Sequence, residues 1–440
     1  MRKELLRLAV PNILANLSIP LLVTVNLAVL AHLESTLYLA AVSLAGIIFN
    51  FILWSFSFLR MSTTGITAQN FGAKNTSEIS ASFYRSVLIA GFIGLLTILF
   101  RNPIYWIGIE MLQPDFALDG IITEYYDIRI WVVPASLLNF VILGWLLGVQ
   151  DSAAAMLMII FENVINVVLN LVFVVELGMK ADGVALGTLI AGWSALVFGI
   201  IIILVRHRKL LVKPVLKVVF LFSKLLRVLT VNANIFLRSF SLLTVFSWFT
   251  YASSLYGNDV LAVNTLLMQF FMFFSFFIDG FSYAGESLSG KYLGAGKIRL
   301  LRLTVRTLFR WALGTSLVFS LLYFMGGQWI FGLLTDNQTL LDLALKQRFW
   351  VVLIPLVSFV AFMWDGIFAG MTHTAAMRNV MLIAVLGVFF PLYFLLESVF
   401  PEMNLWIAFL SFFVARSVGM TLAKPRQLKV LKVEKLKKNF

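Results

Sequence analysis

The sequence predicts an all-α integral membrane protein, with twelve transmembrane helices in two homologous six-helix bundles around a central cavity. Composition, long apolar runs and an internal repeat support this prediction. Hydrophobic residues make up 61% of the 440 residues, and charged residues make up 12%. A soluble domain of this composition would expose apolar surface on every side. The chain has no cysteine, which excludes disulfides and cysteine metal ligands.

Twelve apolar runs are each near or above the roughly 20 residues that a helix needs to cross a bilayer. Barrel strands alternate polar and apolar residues over about ten positions, and these runs do not alternate. Helices are therefore expected. The predicted spans are 5–33, 37–70, 77–100, 120–148, 153–176, 180–205, 222–255, 260–292, 302–333, 340–371, 376–397 and 404–422.

An internal repeat divides the chain into two halves. The stretch 49–74 recurs about 221 positions later as 270–297, and both copies contain a Phe-rich run, a small and polar middle and a Gly-Ala-Lys exit. A repeat of half the chain length indicates a duplicated membrane bundle. The predicted domains are a first bundle at 1–212, a second bundle at 213–423 and a basic tail at 424–440.

Basic residues cluster at the ends of the apolar runs. They are concentrated in the break 206–227, after the eighth span and in the tail. This is the positive-inside pattern, which predicts that both termini and the 206–227 connector are cytoplasmic. The same pattern accounts for the net charge of +13 without a nucleic-acid partner.

Short strings along the chain carry a family resemblance. They occur in order between about Leu6 and Ala423 and are Val10-Pro-Asn12, Phe58-Leu-Arg-Met-Ser-Thr-Thr-Gly65, Ala68-Gln69, Gly183-Val-Ala-Leu-Gly-Thr188, Asp279-Gly-Phe-Ser-Tyr-Ala-Gly-Glu-Ser287 and Trp364-Asp-Gly366. Together they resemble the DinF-like branch of the MATE (multidrug and toxic compound extrusion) family.

The resemblance implies a secondary active antiporter in a bacterial inner membrane. Such a protein exports cationic or amphiphilic small molecules in exchange for H⁺ or Na⁺ by alternating access, and it needs no cofactor besides the coupling ion. The protein is expected to be a monomer in the lipid bilayer. The sequence contains no Gly-x-x-x-x-Gly-Lys-[Ser/Thr] motif, so ATP is not the expected energy source.

The resemblance also implies a cation-coupling site in the first half, and here the chain departs from the family. Family members usually carry Asp at the positions of Asn26 and Asn170, whereas Thr188 is retained. Asn neither takes up a proton near neutral pH nor offers a charge, so a Na⁺ site at Asn166, Asn170 and Thr188 is a weak expectation. Glu162 shares a helix face with the two helix-5 amides and is the candidate proton carrier. Coupling could also have moved to the second half or been lost, and the amides could simply join helices.

The candidate ionisable residues that we single out within the apolar spans of the second half are Arg238, Asp279, Glu286 and Asp365. A charge at mid-bilayer costs about 2.5–3.5 kcal/mol or more unless it faces a cavity or a partner. Asp279, Glu286 and Asp365 are therefore predicted to form a second-half cavity, with Arg238 beside them, that recognises cationic groups on substrates. The alternative is an interior ion pair of Arg238 with Asp279 or Glu286. A further departure from the family is Asn234, where an Asp is usual.

Two prolines lie within the first span. Pro11 and Pro20 each remove a backbone hydrogen bond and can bend a helix. The resemblance implies a gating kink at Pro11, and a static kink is the alternative.

Two other functions compete with the antiporter. One is a flippase for lipid-linked oligosaccharides from the same superfamily, which transport of ethidium or of a labelled lipid precursor would distinguish. The other is a membrane acyl or lipid transferase, which would need a buried His or a carboxylate cluster beside a lipid path. The three histidines, His32, His207 and His373, fall at predicted helix ends instead. We therefore expect that the protein is not an enzyme.

Overall fold

The structure, a computed structural model, describes residues 1–31, 35–212, 216–332, 337–399 and 403–429. Within these ranges the chain is helical and forms no strand. The predicted all-α fold class is confirmed. Most of the predicted basic tail, 424–440, lies outside the described residues. Of that tail the structure describes a short helix at Arg426–Lys429.

Twelve of the described helices are long and apolar enough to cross a membrane, which confirms the predicted count. We label them α1 Arg2–Leu30, α2 Thr36–Gly72, α3 Thr76–Leu99, α4 Phe116–Gly148, α5 Ser152–Glu176, α6 Ala181–Arg206, α7 Phe222–Leu255, α8 Asn258–Gly294, α9 Ile298–Gly327, α10 Arg348–Gly370, α11 Thr374–Glu397 and α12 Asn404–Leu422.

Shorter helices lie between some of these spans, at Arg101–Leu112, Leu216–Val219 and Gln338–Lys346. The last one shortens the predicted tenth span, 340–371, from its start. The polar run Lys346-Gln347-Arg348 ends the short helix, and α10 begins only at Arg348. Three consecutive polar residues within an apolar run are the local signal for this break.

A glycine pair with the spacing Gly-x-x-x-Gly brings α4 against α2. A Cβ on Gly144 would lie 2.4 Å from the carbonyl oxygen of Arg60, and one on Gly148 would lie 3.1 Å from that of Thr64. Only residues without a side chain allow two helix backbones to approach this closely. The α2–α4 contact is therefore specified by these two glycines.

The second half repeats this contact 222 positions later. A Cβ on Gly366 would lie 2.2 Å from the carbonyl oxygen of Ser282, and one on Gly370 would lie 2.0 Å from that of Glu286. Each of these four residues stands 222 positions after its counterpart in the α2–α4 contact. The duplication seen in the sequence is thus also a duplication of backbone packing.

The described chain divides into two compact units, and the division differs from the predicted one at 212/213. One unit is Leu14–Asn232, and the other combines Met1–Ile13 with the described chain from Ala233 onward. The boundaries therefore fall inside α1 and α7. Pro214, in the basic connector 206–227, lies outside the described residues.

The first turns of α1 are held in the unit formed by the second half. The Glu4 carboxylate accepts hydrogen bonds from Lys291 Nζ at 2.7 Å and from the Tyr292 hydroxyl at 2.6 Å. A Cβ on Gly280 would lie 2.3 Å from the Ile13 side chain, so α8 and α1 are in close contact there. These long-range contacts explain why residues 1–13 do not join the first half.

The segment leading into α7 is held in the other unit in a similar way. The buried Arg85 on α3 donates to the carbonyl oxygens of Val218 and Val219, at 2.5 and 2.9 Å. Its Nη1 also pairs with Glu78 at 3.1 Å, and Lys224 lies 3.8 Å from the same carboxylate. Both connecting helices, α1 and α7, thus begin in one unit and end in the other.

An ion-pair network joins the start of α5 to the end of α6. Asp151 caps α5 by accepting from the Ala154 N–H, and its carboxylate lies 2.8 Å from His207 Nε2 and 3.2 Å from Arg206 Nε. Burial raises the pKa of Asp151. The hydrogen bonds from His207 and Ala154 and the charge of Arg206 outweigh that effect, so its pKa is lowered below its usual value.

Candidate functional site

Three amide side chains of the first half form a hydrogen-bonded network. Helix α5 places Asn166 and Asn170 one turn apart on the same face. Asn170 Nδ2 donates to Asn26 Oδ1 at 2.8 Å and to Asn166 Oδ1 at 3.1 Å. Asn26 Nδ2 in turn donates to Asn166 Oδ1 at 3.2 Å. The network therefore joins α1 to α5.

Thr188 on α6 completes this network, which we call the amide cluster (Asn26, Asn166, Asn170 and Thr188). Asn166 Nδ2 donates to Thr188 Oγ1 at 3.1 Å, and the Thr188 hydroxyl donates to the Val184 carbonyl at 2.9 Å. The structure thus brings together four of the five residues that the sequence placed in the first-half site. All four are uncharged, so the cluster keeps the same charge at every physiological pH.

The amide cluster does not fit a bound Na⁺ in this arrangement. Hard cations take several oxygen ligands, and most oxygens here already accept hydrogen bonds from amide groups. Of the side-chain oxygens of the amide cluster, Asn170 Oδ1 is the one that is buried without a hydrogen-bond partner among the described residues, and it lies 2.2 Å from where a Cβ on Gly187 would be. The described residues also contain no group of three or more His, Cys, Asp or Glu that could hold a metal ion.

Glu162 lies outside the amide cluster although it shares the helix. Its side chain is half-buried, and its Oε1 lies 3.9 Å from the position of a Cβ on Gly192. Within the described parts of the chain it has no hydrogen-bond or ion-pair partner. The neighbouring Asn163 instead donates to Ser18 Oγ at 2.7 Å. Glu162 is therefore a carboxylate within α5 that makes no hydrogen bond or ion pair in the described part of the chain.

In the second half, two arginines converge on one carboxylate. Arg238 on α7 and Arg416 on α12 both donate through Nη2 to the same oxygen, Oδ2, of Asp365 on α10. The Arg416 contact is 2.6 Å. We call these three residues the charged cluster. The alternative ion pair foreseen from the sequence joined Arg238 to Asp279 or Glu286, whereas the structure pairs it with Asp365.

The surrounding helices fix the position of Asp365. The next residue, Gly366, makes the close backbone contact with α8 described above. The residue before it, Trp364, donates from its indole Nε1 to Thr421 Oγ1 on α12 at 2.9 Å. Asp365 is therefore held between two close helix contacts, and one of them is with the helix that carries Arg416.

Arg416 was not foreseen from the sequence. It lies in α12 and is fully buried, with its guanidinium 5.2 Å from the ring centroids of both Phe412 and Phe413. The available signal was a single basic residue inside the last apolar run. Of the predicted carboxylates, Glu286 is buried, and Asp279 is half-buried and acts electrostatically on Arg416.

The remaining predicted positions lie elsewhere. Asn234 accepts from Arg378 Nη1 at 2.7 Å and donates to Thr374 Oγ1 at 3.2 Å, so it joins α7 to α11. Helix α1 continues unbroken through both Pro11 and Pro20. The unit boundary after Ile13 lies two residues from Pro11. A gating kink at these prolines stays a prediction.

Comparison with known proteins identifies the family. A family model described as MatE matches residues 11–172 and 216–395, well over half of the chain. The chain belongs to the MATE family. It is 35% identical to DNA damage-inducible protein F of Escherichia coli (strain K12), over 95% of this chain and 91% of that protein. It is 21% identical to Protein DETOXIFICATION 44, chloroplastic, of Arabidopsis thaliana, over 84% and 72% respectively. The predicted DinF-like resemblance is confirmed.

Solved structures of similar fold are also transporters. A MOP superfamily transporter from Pyrococcus furiosus, described as having a binding pocket of reverse polarity, has a TM-score of 0.87 at 19% identity, over 97% of this chain and 96% of that one. The bent form of the Vibrio cholerae MATE transporter VcmN has a TM-score of 0.84 at 16% identity, over 97% of both chains. These likenesses support the fold. Because MATE proteins are transporters, membership of the MATE family makes this chain a multi-pass membrane transporter and excludes the transferase alternative.

Proposed function

We propose that this MATE transporter is a secondary active antiporter that exports cationic or amphiphilic small molecules across a bacterial inner membrane. The observation that carries the proposal is the buried carboxylate of Asp365 inside α10, whose Oδ2 contacts two arginines while its Oδ1 has no hydrogen-bond partner among the described residues. The likeness to DNA damage-inducible protein F along nearly the whole chain supports the bacterial setting.

The proposed coupling ion is H⁺, and the proposed carrier is Glu162. The amide cluster has no group that titrates, and its hydrogen-bonded amides leave too few oxygens for Na⁺. Glu162 has a carboxylate within α5 that no hydrogen bond or ion pair engages in the described residues. One proton crossing down a potential of 100 mV releases about 2.3 kcal/mol, which is enough to drive export against a gradient.

The test is ethidium efflux from proteoliposomes, with a pH gradient and a Na⁺ gradient imposed separately. We expect the pH gradient to drive efflux and the Na⁺ gradient to have no effect. Glu162→Gln should abolish the pH-driven efflux, and Asn26→Asp in that background should partly restore it. The matched control is Glu176→Gln, which neutralises an exposed carboxylate at the end of the same helix. Efflux driven by Na⁺ alone would refute proton coupling, and flipping of a labelled lipid precursor without ethidium efflux would favour the flippase.

The proposed orientation places both termini and the connector between α6 and α7 in the cytoplasm. The chain has no cysteine of its own, so single cysteines report on sidedness without background. A cysteine at Arg208 should react with a membrane-impermeant maleimide only from the cytoplasmic side. A cysteine at Asp115, between Arg101–Leu112 and α4, should react only from the opposite side. Labelling of both positions from the same side would contradict the topology.

A further inference from the structure

The charged cluster contains one more cation than its carboxylate can balance. Asp365 holds both guanidinium groups on Oδ2, while its Oδ1 is buried and has no hydrogen-bond partner among the described residues. The Nε groups of Arg238 and Arg416 are likewise buried without a partner in the described chain. One carboxylate therefore serves two arginines through a single oxygen, and its hydrogen-bonding capacity is not exhausted.

The two arginines are not equivalent. The Arg416 side chain is 1% exposed and stacks near two aromatic rings of its own helix, whereas the Arg238 side chain is 12% exposed. The helices that carry Asp365 and Arg416 are also joined by the bond from Trp364 to Thr421. Arg416 is thus the more deeply buried partner of Asp365, and Arg238 is the more exposed one.

Other charged groups do not change this distinction. Asp279 and Arg238 both act electrostatically on Arg416. Arg378, a further arginine of the same unit, is turned toward the amide oxygens of Asn234 and Asn379. It offers the same charge as Arg238 without contacting Asp365, which makes it a natural control.

We propose that Arg238 is a tethered cation that occupies the substrate's cation subsite at Asp365. A cationic substrate binds by displacing the Arg238 guanidinium, while Arg416 keeps its contact with the carboxylate. Because Arg416 keeps its contact, the buried Asp365 stays compensated throughout the exchange, and an uncompensated buried carboxylate would be strongly unfavourable. This inference rests on the proposed export of cations and makes Arg238 the residue that sets which cations enter.

The exchange favours a particular class of substrate. A guanidinium is planar, delocalised and weakly hydrated, and a compact, strongly hydrated ammonium is a poor substitute at such a site. The cations best suited to replace Arg238 are therefore amphiphilic and monovalent, with a delocalised charge. Ethidium has this chemistry and is the probe that we would use.

The size of the effect follows from competition. When the binding-competent state is only partly populated, the apparent dissociation constant rises by the inverse of that fraction. If Arg238 leaves Asp365 for about one-tenth of the time, removing it tightens ethidium binding about tenfold. The measurement is equilibrium binding of ethidium to the purified full-length protein in detergent, at fixed salt.

Four variants make the test specific. We expect Arg238→Gln and Arg238→Met to bind ethidium at least about tenfold more tightly than wild type. Arg238→Lys keeps a competing charge but is a poorer occupant of the site, so its affinity should fall between those of wild type and Arg238→Gln. Arg378→Gln removes the same charge from the same unit and should change the affinity less than about twofold. The neutral dye Nile red should bind all five proteins alike.

The outcomes separate the two proposals. Wild type that exports ethidium, with no tighter binding in Arg238→Gln or Arg238→Met, would overturn the tethered cation and leave the proposed function standing. An equal gain in Arg378→Gln would also overturn it, since general electrostatics would then be the cause. Wild type that neither binds nor exports ethidium would overturn the proposed export of cations, and the tethered cation with it.

Discussion

The two halves place their polar residues at different positions on the same scaffold. The glycine pairs that hold α4 on α2 and α10 on α8 are separated by the same 222 positions. The amide cluster has no counterpart at that offset. The residues 222 positions after Asn26, Asn166, Asn170 and Thr188 are Trp248, Val388, Leu392 and Leu410.

The charged cluster likewise has no counterpart in the first half. The residues 222 positions before Arg238, Asp365 and Arg416 are Asn16, Leu143 and Ser194. The duplication therefore kept the backbone contacts and assigned different chemistry to each half. One half holds a neutral network whose charge pH cannot change, and the other holds a carboxylate with an exchangeable cation. Our proposal therefore places cation recognition in the second half.

The largest difference between the clusters should appear in stability. Asp365→Asn leaves two arginines of the charged cluster without their counterion, and breaking a buried ion pair in this way costs about 3–5 kcal/mol. Thermal unfolding in detergent would measure the loss. Asn170→Asp makes the opposite substitution in the first half, because it places a carboxyl group in the neutral amide cluster. If both variants lowered the unfolding temperature equally, the distinction between a neutral and a charged half would fail.

The shared scaffold should give similar effects in both halves. Gly148→Ala and Gly370→Ala each place a methyl group against the facing helix, and overpacking of this kind costs about 1–3 kcal/mol. The yield of monodisperse protein and its unfolding temperature should fall for both. Gly314→Ala is the control, because nothing lies within 4 Å of its added Cβ. Loss in only one half would contradict the repeated packing.

Removing an amide should have a smaller effect that does not depend on pH. Asn170→Ala deletes two hydrogen bonds and leaves Asn26 Oδ1 unsatisfied, at a cost of about 1–3 kcal/mol. Since no member of the amide cluster titrates, the loss in unfolding temperature should be the same at pH 6 and pH 8. A loss that changed with pH across that range would place a titrating group in the network.

The smallest expected effect lies outside the spans, at Asp151. Its pKa is lowered in the folded state, so its ion pair stabilises the protein above the usual Asp pKa of about 3.9. That contribution is lost as the pH falls through the lower, folded-state pKa. Asp151→Asn should therefore cost about 1 kcal/mol or less at neutral pH, and the difference from wild type should shrink toward acid pH. A difference that grew below pH 4 would reverse the assigned sign.

Much of the fold could be predicted because it depends on local sequence. Span length fixed the twelve helices, and helical spacing placed Asn166 and Asn170 on one face before the structure showed their hydrogen bond. The Gly-x-x-x-Gly pairs that begin at Gly144 and Gly366 are likewise local patterns, and they indicate close helix contacts. These features need only a few neighbouring residues to be recognised.

The rest depends on contacts between residues far apart in the chain. The charged cluster requires α7, α10 and α12 to meet, and no local sequence pattern encodes that contact. The placement of residues 1–13 with the second half depends on Glu4 reaching Lys291, 287 positions away. Glu162 was grouped with the amides by spacing, yet the structure leaves it outside their network.

One binding measurement on variants of both clusters tests most directly whether the charged cluster, and not the amide cluster, recognises cations. The dissociation constant of ethidium is determined for wild type, Arg238→Gln and Asn170→Ala in the same detergent and salt. The account predicts at least about tenfold tighter binding for Arg238→Gln and a change below about twofold for Asn170→Ala. Unchanged affinity in Arg238→Gln, together with a large change in Asn170→Ala, would place cation recognition in the first half and contradict the account.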